Sequence, residues 1–401
     1  MKKKKLMILG GHLYLLPVIE KAHELGIYVI TVDYLPGNEA HKYSDEYHNV
    51  SVIDKEAVLQ LAKKLKIDGI TSFVNDAGVV TAAYVAEKMG LSFQCPYDSA
   101  VILQDKGKFR KFLEQNGFNV PKSKKYDDIE VALKDMDRFS WPVIVKPTDS
   151  CGSRGVTKVD SGEDIESAIV LAIENSRSKS FIIEDYISFK GYHSSADSFT
   201  INGQIVFNVY SDQLFENPIN RYAPSQIIWP TTMEKNHQDY LTKELQRLMN
   251  LLKMKHGIYN IETCVGSDNK PYIMEVSPRG GGLRIAEIQK MAYGVDLIEN
   301  EIRQAVDMPI IPMHSREPEG VWCELVLYSR KKTKITFAGI NIDKSIKNQY
   351  IKYIDLQKEI GDVIEPSFDN TFGNLFLNCE DRETLDRLID DFSDWFIIKE
   401  E

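Results

Sequence analysis

From residue 6 to about 95 the chain alternates short apolar runs with longer amphipathic ones. Residues 6–9 read as a strand, 15–25 as a helix ending at Gly26, and 27–32 as a strand ending in Asp33. A helix over 55–65, a strand over 69–74 and a helix over 77–89, closed by Gly90, complete the series. Strands separated by helices cannot be joined by tight hairpins, so this order restricts the region to a parallel sheet with crossover helices. The turn after the first strand, Gly10 and Gly11, lacks the full GxGxxG spacing, which argues against a nicotinamide cofactor. Asp33 is either a ribose ligand or a solvated loop acid.

A second pattern carries chemistry. In NIETCVGSDNKPYIMEVSPRGGG, residues 260–282, two β-rich flanks surround the turn residues Gly266, Ser267, Asp268 and Asn269. A two-residue loop at Asp268 and Asn269 pairs Ser267 with Lys270, and the same register puts Glu262 opposite Glu275 on one sheet face. Opposed residues have Cβ atoms about 4.5–5.5 Å apart, and like charges there repel unless something neutralises them. A divalent cation does so, and Mg²⁺ is usually held by one or two carboxylates together with substrate phosphates. The plain alternative is a solvated hairpin whose charges face water. Ser277, Pro278, Arg279 and the glycines 280–282 favour the metal reading, because they bring a cation and a flexible loop to the same strand end.

At 401 residues, 43% hydrophobic and 27% charged, the chain has the size and composition of two or three soluble domains. Its net charge of −10 disfavours nucleic acid and anionic membranes as partners and leaves room for a local cationic cleft. Five cysteines, none in a CxxC pair, point to reduced thiols and a cytoplasmic location. The basic start, Lys2 to Lys5, imitates a signal peptide, but Gly10, Gly11, His12 and Pro17 break the apolar run that follows. No stretch reaches the roughly 18 apolar residues of a membrane span.

After Asp105 a helix over 106–115 begins with Lys106, and a strand over 142–145 delivers Lys146. Directly beyond lies TDSCGSRGV, residues 148–156, with Ser150, Gly152, Ser153, Arg154 and Gly155. Glycines let backbone amides approach phosphate oxygens, and hydroxyls and basic side chains add to the cradle. The GKS or GKT ending of a P-loop is missing, and an ordinary hairpin between 142–146 and 155–159 is the alternative. Farther on, the apolar strand 181–183 leads into Glu184, Asp185, Tyr186 and Ile187. A strand leaving its sheet offers backbone groups to an adenine edge; otherwise it is a plain edge strand.

The order Lys106, VKP with its glycine loop, EDYI, and the glutamate hairpin with SPRGGG resembles the ATP-grasp superfamily over roughly residues 1–305. The carbamoyl-phosphate-synthetase-like and amino-acid-ligase-like branches are the most similar in pattern. The resemblance implies an α/β chain with α+β character in its nucleotide-binding part. Residues 1–104 would form a parallel pre-ATP-grasp domain, 105–305 the ATP-grasp domain with a lid over about 120–187, and 306–401 an α+β subdomain. It further implies ATP and Mg²⁺, or Mn²⁺, as cofactors. Lys106 and Lys146 would contact phosphates under the loop carrying Ser150, Gly152, Ser153 and Gly155. Glu184 would bind the adenine amino group and Ile187 the base through its backbone. Glu262 and Glu275 would hold the metal, and Arg279 would steady an acyl phosphate.

Two positions depart from the pattern. His193 stands where relatives often carry a ribose-binding Glu, and Ser277 where they favour Asn as an oxygen ligand. Such a site would phosphorylate a carboxylate with ATP and let an amine displace the phosphate. Bicarbonate activation, and a nucleotide-binding regulator without turnover, are the alternatives. Arg284, and with less support Arg221, are candidates to hold the substrate carboxylate, since Arg binds carboxylates bidentately. The substrates expected are a small-molecule acid and amine, and a homodimer is compatible with this reading.

Overall fold

The computed structural model describes residues 3–150, 152–216, 221–329, 331, 333–365 and 371–400. Strands Lys5–Leu9, Tyr28–Asp33 and Gly69–Thr71 pair in parallel, and Glu46–Asn49 adds a fourth on the edge beside Tyr28–Asp33. That edge strand is polar and half-buried, so no apolar run announces it. The first helix spans Leu16–Glu24, with Pro17 in its first turn where no backbone N–H is needed. The strand expected over 69–74 stops at Thr71, because Ser72 donates to the Asn75 carbonyl (2.6 Å) and turns the chain into helix Asp76–Met89.

Helix Lys106–Gln115 starts at Asp105, whose carboxylate accepts from the Lys108 N–H. It leads to an antiparallel sheet in the order Ser123–Tyr126, Phe181–Asp185, Val143–Pro147, Thr157–Val159. Phe181–Asp185 is therefore an inner strand and not an edge; only beyond Asp185 does the chain leave the sheet. Helices Ile129–Lys134 and Ile165–Glu174 cover this sheet. Together they enclose a separate core of Tyr126, Val143, Val145, Ile169, Phe181 and Ile183. A unit with its own core can move without breaking its neighbours' packing.

A third sheet runs Gln204–Phe207, Ser194–Ile201, Gly257–Val265, Pro271–Ser277. A fourth takes strands Asp212–Leu214 and Gln226–Trp229 and pairs them with Val321–Tyr328, Thr371–Cys379 and Ile351–Leu356. One apolar core joins the first, third and fourth sheets through Ile8, Phe73, Phe199, Trp229, Ile258, Ile288 and Phe376. The glutamate hairpin is thus built on rigid ground. No helix among the described residues is long and apolar enough to cross a membrane.

Candidate active site

Glu262 pairs with Glu275 across strands Gly257–Val265 and Pro271–Ser277, as the sequence register requires, but the turn differs. Gly266 pairs with Lys270 through its N–H (2.8 Å), so the loop holds three residues, with Asn269 left-handed at φ 62°. A bulge at Met274 then shifts the register back by one residue and restores the facing pair. The bulge strands the Met274 carbonyl, which Arg110 Nη1 satisfies at 2.7 Å. Burial first, and then the Glu275 charge, push the Glu262 carboxyl up to about 7, against the opposing pull of Lys106, Arg279 and Lys146. Two opposed carboxylates of which one resists ionisation suit a hard divalent cation. Among the described residues no group of three or more His, Cys, Asp or Glu side chains is placed to hold a metal. A cation on this pair would therefore take further oxygens from a phosphate or from water.

Lys106 opens its helix with its ammonium 3.5 Å from Glu275 and 3.0 Å from the Ser150 carbonyl, bridging the carboxylates and the glycine loop. Lys146 and Arg110 share Glu184, each at 2.7 Å, and Glu184 is only 1% exposed. Burial alone would raise the Glu184 pKa, but Arg110 and Lys146 hold it down at about 2. The expected contact between this side chain and an adenine amino group has no opening here, since both oxygens already face buried cations. Arg110 was missed in the sequence, and the one signal that could have found it is its place one helical turn from Lys106, at i+4 on the same face.

Arg279 is held bidentately by Asp76, Nε to Oδ1 at 2.8 Å and Nη2 to Oδ2 at 2.7 Å, and Nη1 donates to the Gly280 carbonyl. Burial raises the Asp76 carboxyl, and Arg279 and Ser277 outweigh it to leave the group below its ordinary value. Ser277 is not presented as a metal ligand. Its hydroxyl donates to Asp76 (2.7 Å) and accepts from Gln104 (2.6 Å), and the residue is 1% exposed. Asp76, at the N-terminus of a helix and 203 residues before Arg279, carries no signal in the motif spacing. Asp197 is equally hidden, a buried acid that accepts from the Gly281 N–H at 2.8 and 3.0 Å and from Asn260. Burial pushes it up to about 6. A side chain at Gly280 would strike the Phe73 ring at 2.2 Å, which explains a glycine at this crossing of backbone and core.

The glycine loop connects the antiparallel strands Val143–Pro147 and Thr157–Val159, so it is also the hairpin that the plain reading required. Gly152, Ser153 and Gly155 are left-handed at φ 64°, 57° and 70°. Ser153 donates to the Tyr222 carbonyl (3.0 Å), and the Tyr222 hydroxyl accepts from the Lys158 N–H. Cys151 lies outside the described residues. Ser150, Asp149, Lys106, Gln104, Asp76, Arg177 and Glu275 close around a cavity of about 20 Å³, room for about one water.

Other expected residues stand apart. His193 packs edge-on against Phe189 and Phe215, with ring centroids at 4.4 and 5.5 Å, and burial together with Lys146 lowers it to about 4. A neutral ring held between aromatics is not the acceptor pair a ribose ligand needs. Arg284 does not face open space. Its Nε donates to Asp355 (2.7 Å) and its Nη1 to both Glu287 oxygens, so acids of the protein itself occupy it. Arg221 is exposed and lies over the ring of its neighbour Tyr222. Ile187 follows the exit from Phe181–Asp185, where the chain crosses to the glutamate hairpin through Lys190 N–H to Val265 and Ser267 N–H to Ser188.

Residues 103–282 match the family model described as the ATP-grasp domain. The carbamoyl phosphate synthase large chain of Thermotoga maritima is 23% identical over 56% of this chain and 20% of its own length. The chain thus spans about a fifth of that relative. The formate-dependent phosphoribosylglycinamide formyltransferase of Prochlorococcus marinus is 22% identical over 86% of both chains. Among solved structures, the L-amino acid ligase of Bacillus licheniformis superposes with a TM-score of 0.80 at 20% identity, covering 100% of each chain. The N5-carboxyaminoimidazole ribonucleotide synthetase of Thermotoga maritima gives 0.76 at 18% identity, covering 99% of this chain and 100% of the other. The glutamate hairpin, the two lysines and the glycine loop all lie inside the matched segment: residues 103–282 are an ATP-grasp domain.

Proposed function

We propose that this chain is an ATP- and Mg²⁺-dependent ligase that joins a small carboxylic acid to an amine through an acyl phosphate. What carries the reading is the convergence of Lys106, Lys146 and Arg279 on the opposed pair Glu262 and Glu275. Phosphoryl transfer needs positioning and charge neutralisation more than a dedicated base, and this set supplies both. Glu262 and Glu275 would hold Mg²⁺, which when bound neutralises the phosphate oxygens and the two carboxylates together.

In the first step an oxygen of the acid attacks the γ-phosphorus and ADP leaves. In the second the amine nitrogen attacks the acyl carbon, the C–N bond forms, the C–O bond to phosphate breaks, and the nitrogen gives up its proton. Lys106 and Lys146 would hold the phosphates under the loop of Ser150, Gly152, Ser153 and Gly155. Glu184 is assigned a different part from the one its motif implies: it fixes Lys146, while the backbone of 185–187, with Ile187, offers the edge for adenine. Arg279, steadied by Asp76, would stabilise the acyl phosphate. A purified preparation with ATP, Mg²⁺ and hydroxylamine as a general nucleophile should release ADP and form hydroxamate only when a suitable acid is added. ADP release that is indifferent to every acid in a broad panel refutes the ligase reading.

A triphosphate held by Lys106 beneath the glycine loop would displace the Lys106 contact to the Ser150 carbonyl, so nucleotide entry is expected to lift the loop 148–156. The separate core beneath it permits this. Amide exchange in 152–156 should be fast in the free protein and slow at least tenfold with ATP and Mg²⁺. Exchange already slow and unchanged by nucleotide would make the loop a rigid turn.

A further inference from the structure

Five residues beyond Arg279, Arg284 enters a buried polar cluster assembled from three separate parts of the chain. Tyr14 comes from the turn after the first strand, Glu287 from helix Ile285–Tyr293, and Glu324, Asp355 and Asn374 from the fourth sheet. The register sets Phe376 between Glu324 and Tyr353, and Asn374 between Val326 and Asp355. Directly opposed residues share a face, so Glu324, Tyr353, Asp355 and Asn374 all lie on one side of the sheet. This is the side that carries Phe376 and packs into the joint core, where polar groups have no water to turn to.

The hydrogen bonds in the cluster leave two acceptors over. Glu324 Oε1 accepts from the Arg284 N–H at 2.8 Å, and Asp355 Oδ2 accepts from Arg284 Nε and from Gln357 Nε2. Asn374 Nδ2 reaches the Tyr14 hydroxyl at 3.4 Å. Glu324 Oε2 and Asn374 Oδ1 have no donor among the described residues, and both residues are 0% exposed. A buried acceptor left without a donor is costly, and two on one face of a single cluster mark the place of a missing group that carries N–H or O–H. Charge narrows the choice. Glu287 and Asp355 bind the one guanidinium of Arg284 and Glu324 accepts from its backbone N–H, so the three carboxylates exceed the single cation by two negative charges when all are ionised.

We infer that this cluster receives the protonated amino group of the amine substrate, with Glu324 Oε2 and Asn374 Oδ1 accepting its hydrogens. The inference rests on the ligase reading for the word substrate, and on the orphaned acceptors for the site itself. Burial, and the charge of Glu287 near it, push the Glu324 carboxyl well above its ordinary range, as expected of an acid whose counterion has yet to arrive. A neutral amide or alcohol would satisfy the acceptors and leave the charge uncompensated, so an ammonium is preferred over its hydroxy counterpart.

The competing arrangement is a protonated Glu324 that gives its own hydrogen to Asn374. Glu324→Gln separates the two, because the amide keeps the volume and supplies a donor while removing the charge that an ammonium needs. The probes are glycinamide, L-alaninamide and L-phenylalaninamide, each paired with its hydroxy analogue, titrated into the full chain without nucleotide and followed by calorimetry. At least one amine should bind tenfold or more tighter than its hydroxy analogue, and E324Q should lose at least tenfold in that affinity. Asn374→Leu, which removes the other orphan without needing a partner, should lose amine affinity while melting no lower than the wild type. In turnover, E324Q should raise KM for the amine more than tenfold and the KM for ATP less than twofold. Equal binding of amine and hydroxy analogues, or an E324Q variant that binds amines like the wild type, overturns the inference. Hydroxamate formation tests the ligase reading apart from this binding measurement, so either can fail alone.

Discussion

Replacing Glu275 by glutamine should cut ADP formation by more than the about 100-fold that losses outside a metal's inner ligands can reach, while the fold stays intact. Glu275 faces Glu262 directly and contacts Lys106, and the amide keeps its shape while removing one of the two charges a cation would bind. A second readout follows from the same pair. Burial and Glu275 raise the folded Glu262 pKa to about 7, above its ordinary 4.5, so the folded state holds a proton that the unfolded chain has released. Between those values the wild type loses stability as pH rises, and above about 7 the loss is complete. Glu275→Gln removes one of the causes of the shift and should flatten that decline. Circular dichroism establishes the fold, and coupled ADP assays at saturating Mg²⁺ establish the loss; near-normal turnover there rules out the metal assignment.

Arg110→Met should be among the more damaging changes to stability, at about 1–3 kcal/mol, because it leaves buried Glu184 with Lys146 alone and the Met274 carbonyl without its donor. Arg110 and Glu184 have 5% and 1% of their side chains exposed, and Arg110 also satisfies the bulge carbonyl of Met274. Glu184 is held at about 2, below its ordinary 4.5, so its share of stability is fully present above 4.5 and is lost as pH falls toward 2. Urea unfolding at pH 7 should show a lower midpoint for R110M. Unfolding between pH 4.5 and 2 should show a weaker acid dependence, since Lys146 alone then holds Glu184 down. A loss below about 1 kcal/mol at pH 7 would mean that the pair is effectively solvated.

The facing of Glu262 and Glu275 was legible because a sheet has period 2 and the turn residues fix where counting starts. It came out right through two compensating differences. The loop is one residue longer than expected, and the Met274 bulge removes the offset, a cancellation that no local pattern in 260–282 announces. The alternation that fixed the parallel sheet was legible for the same reason: apolar runs and their spacing reflect burial, which the sequence carries position by position.

Pairings between distant segments were not legible. Ser277 reads as an oxygen ligand only while Asp76 and Gln104 are unknown, and Arg284 reads as a carboxylate clamp only while Asp355 and Glu287 are unknown. Glu184 belongs to the same class, for its partners Arg110 and Lys146 arrive from another helix and another strand. A charged side chain in a motif announces that it will meet an opposite charge. Whether that charge belongs to the ligand or to the protein is decided by tertiary packing.

The Arg110 to Glu184 contact also has a mechanical meaning. Arg110 is tied to the glutamate hairpin through Met274, and Glu184 belongs to the sheet that carries the glycine loop. Rigid rotation displaces atoms in proportion to their distance from the axis, so a lid that swings without breaking this contact must turn about a line passing close to it. The backbone crossing at 186–190, pinned to the hairpin by Lys190 and Ser267, lies just beyond the same strand end. Together they are placed as a hinge pin: were the sheet to swing about it, its far tip would travel farthest, while Lys146, hydrogen-bonded to Glu184 at the pin, would hardly move.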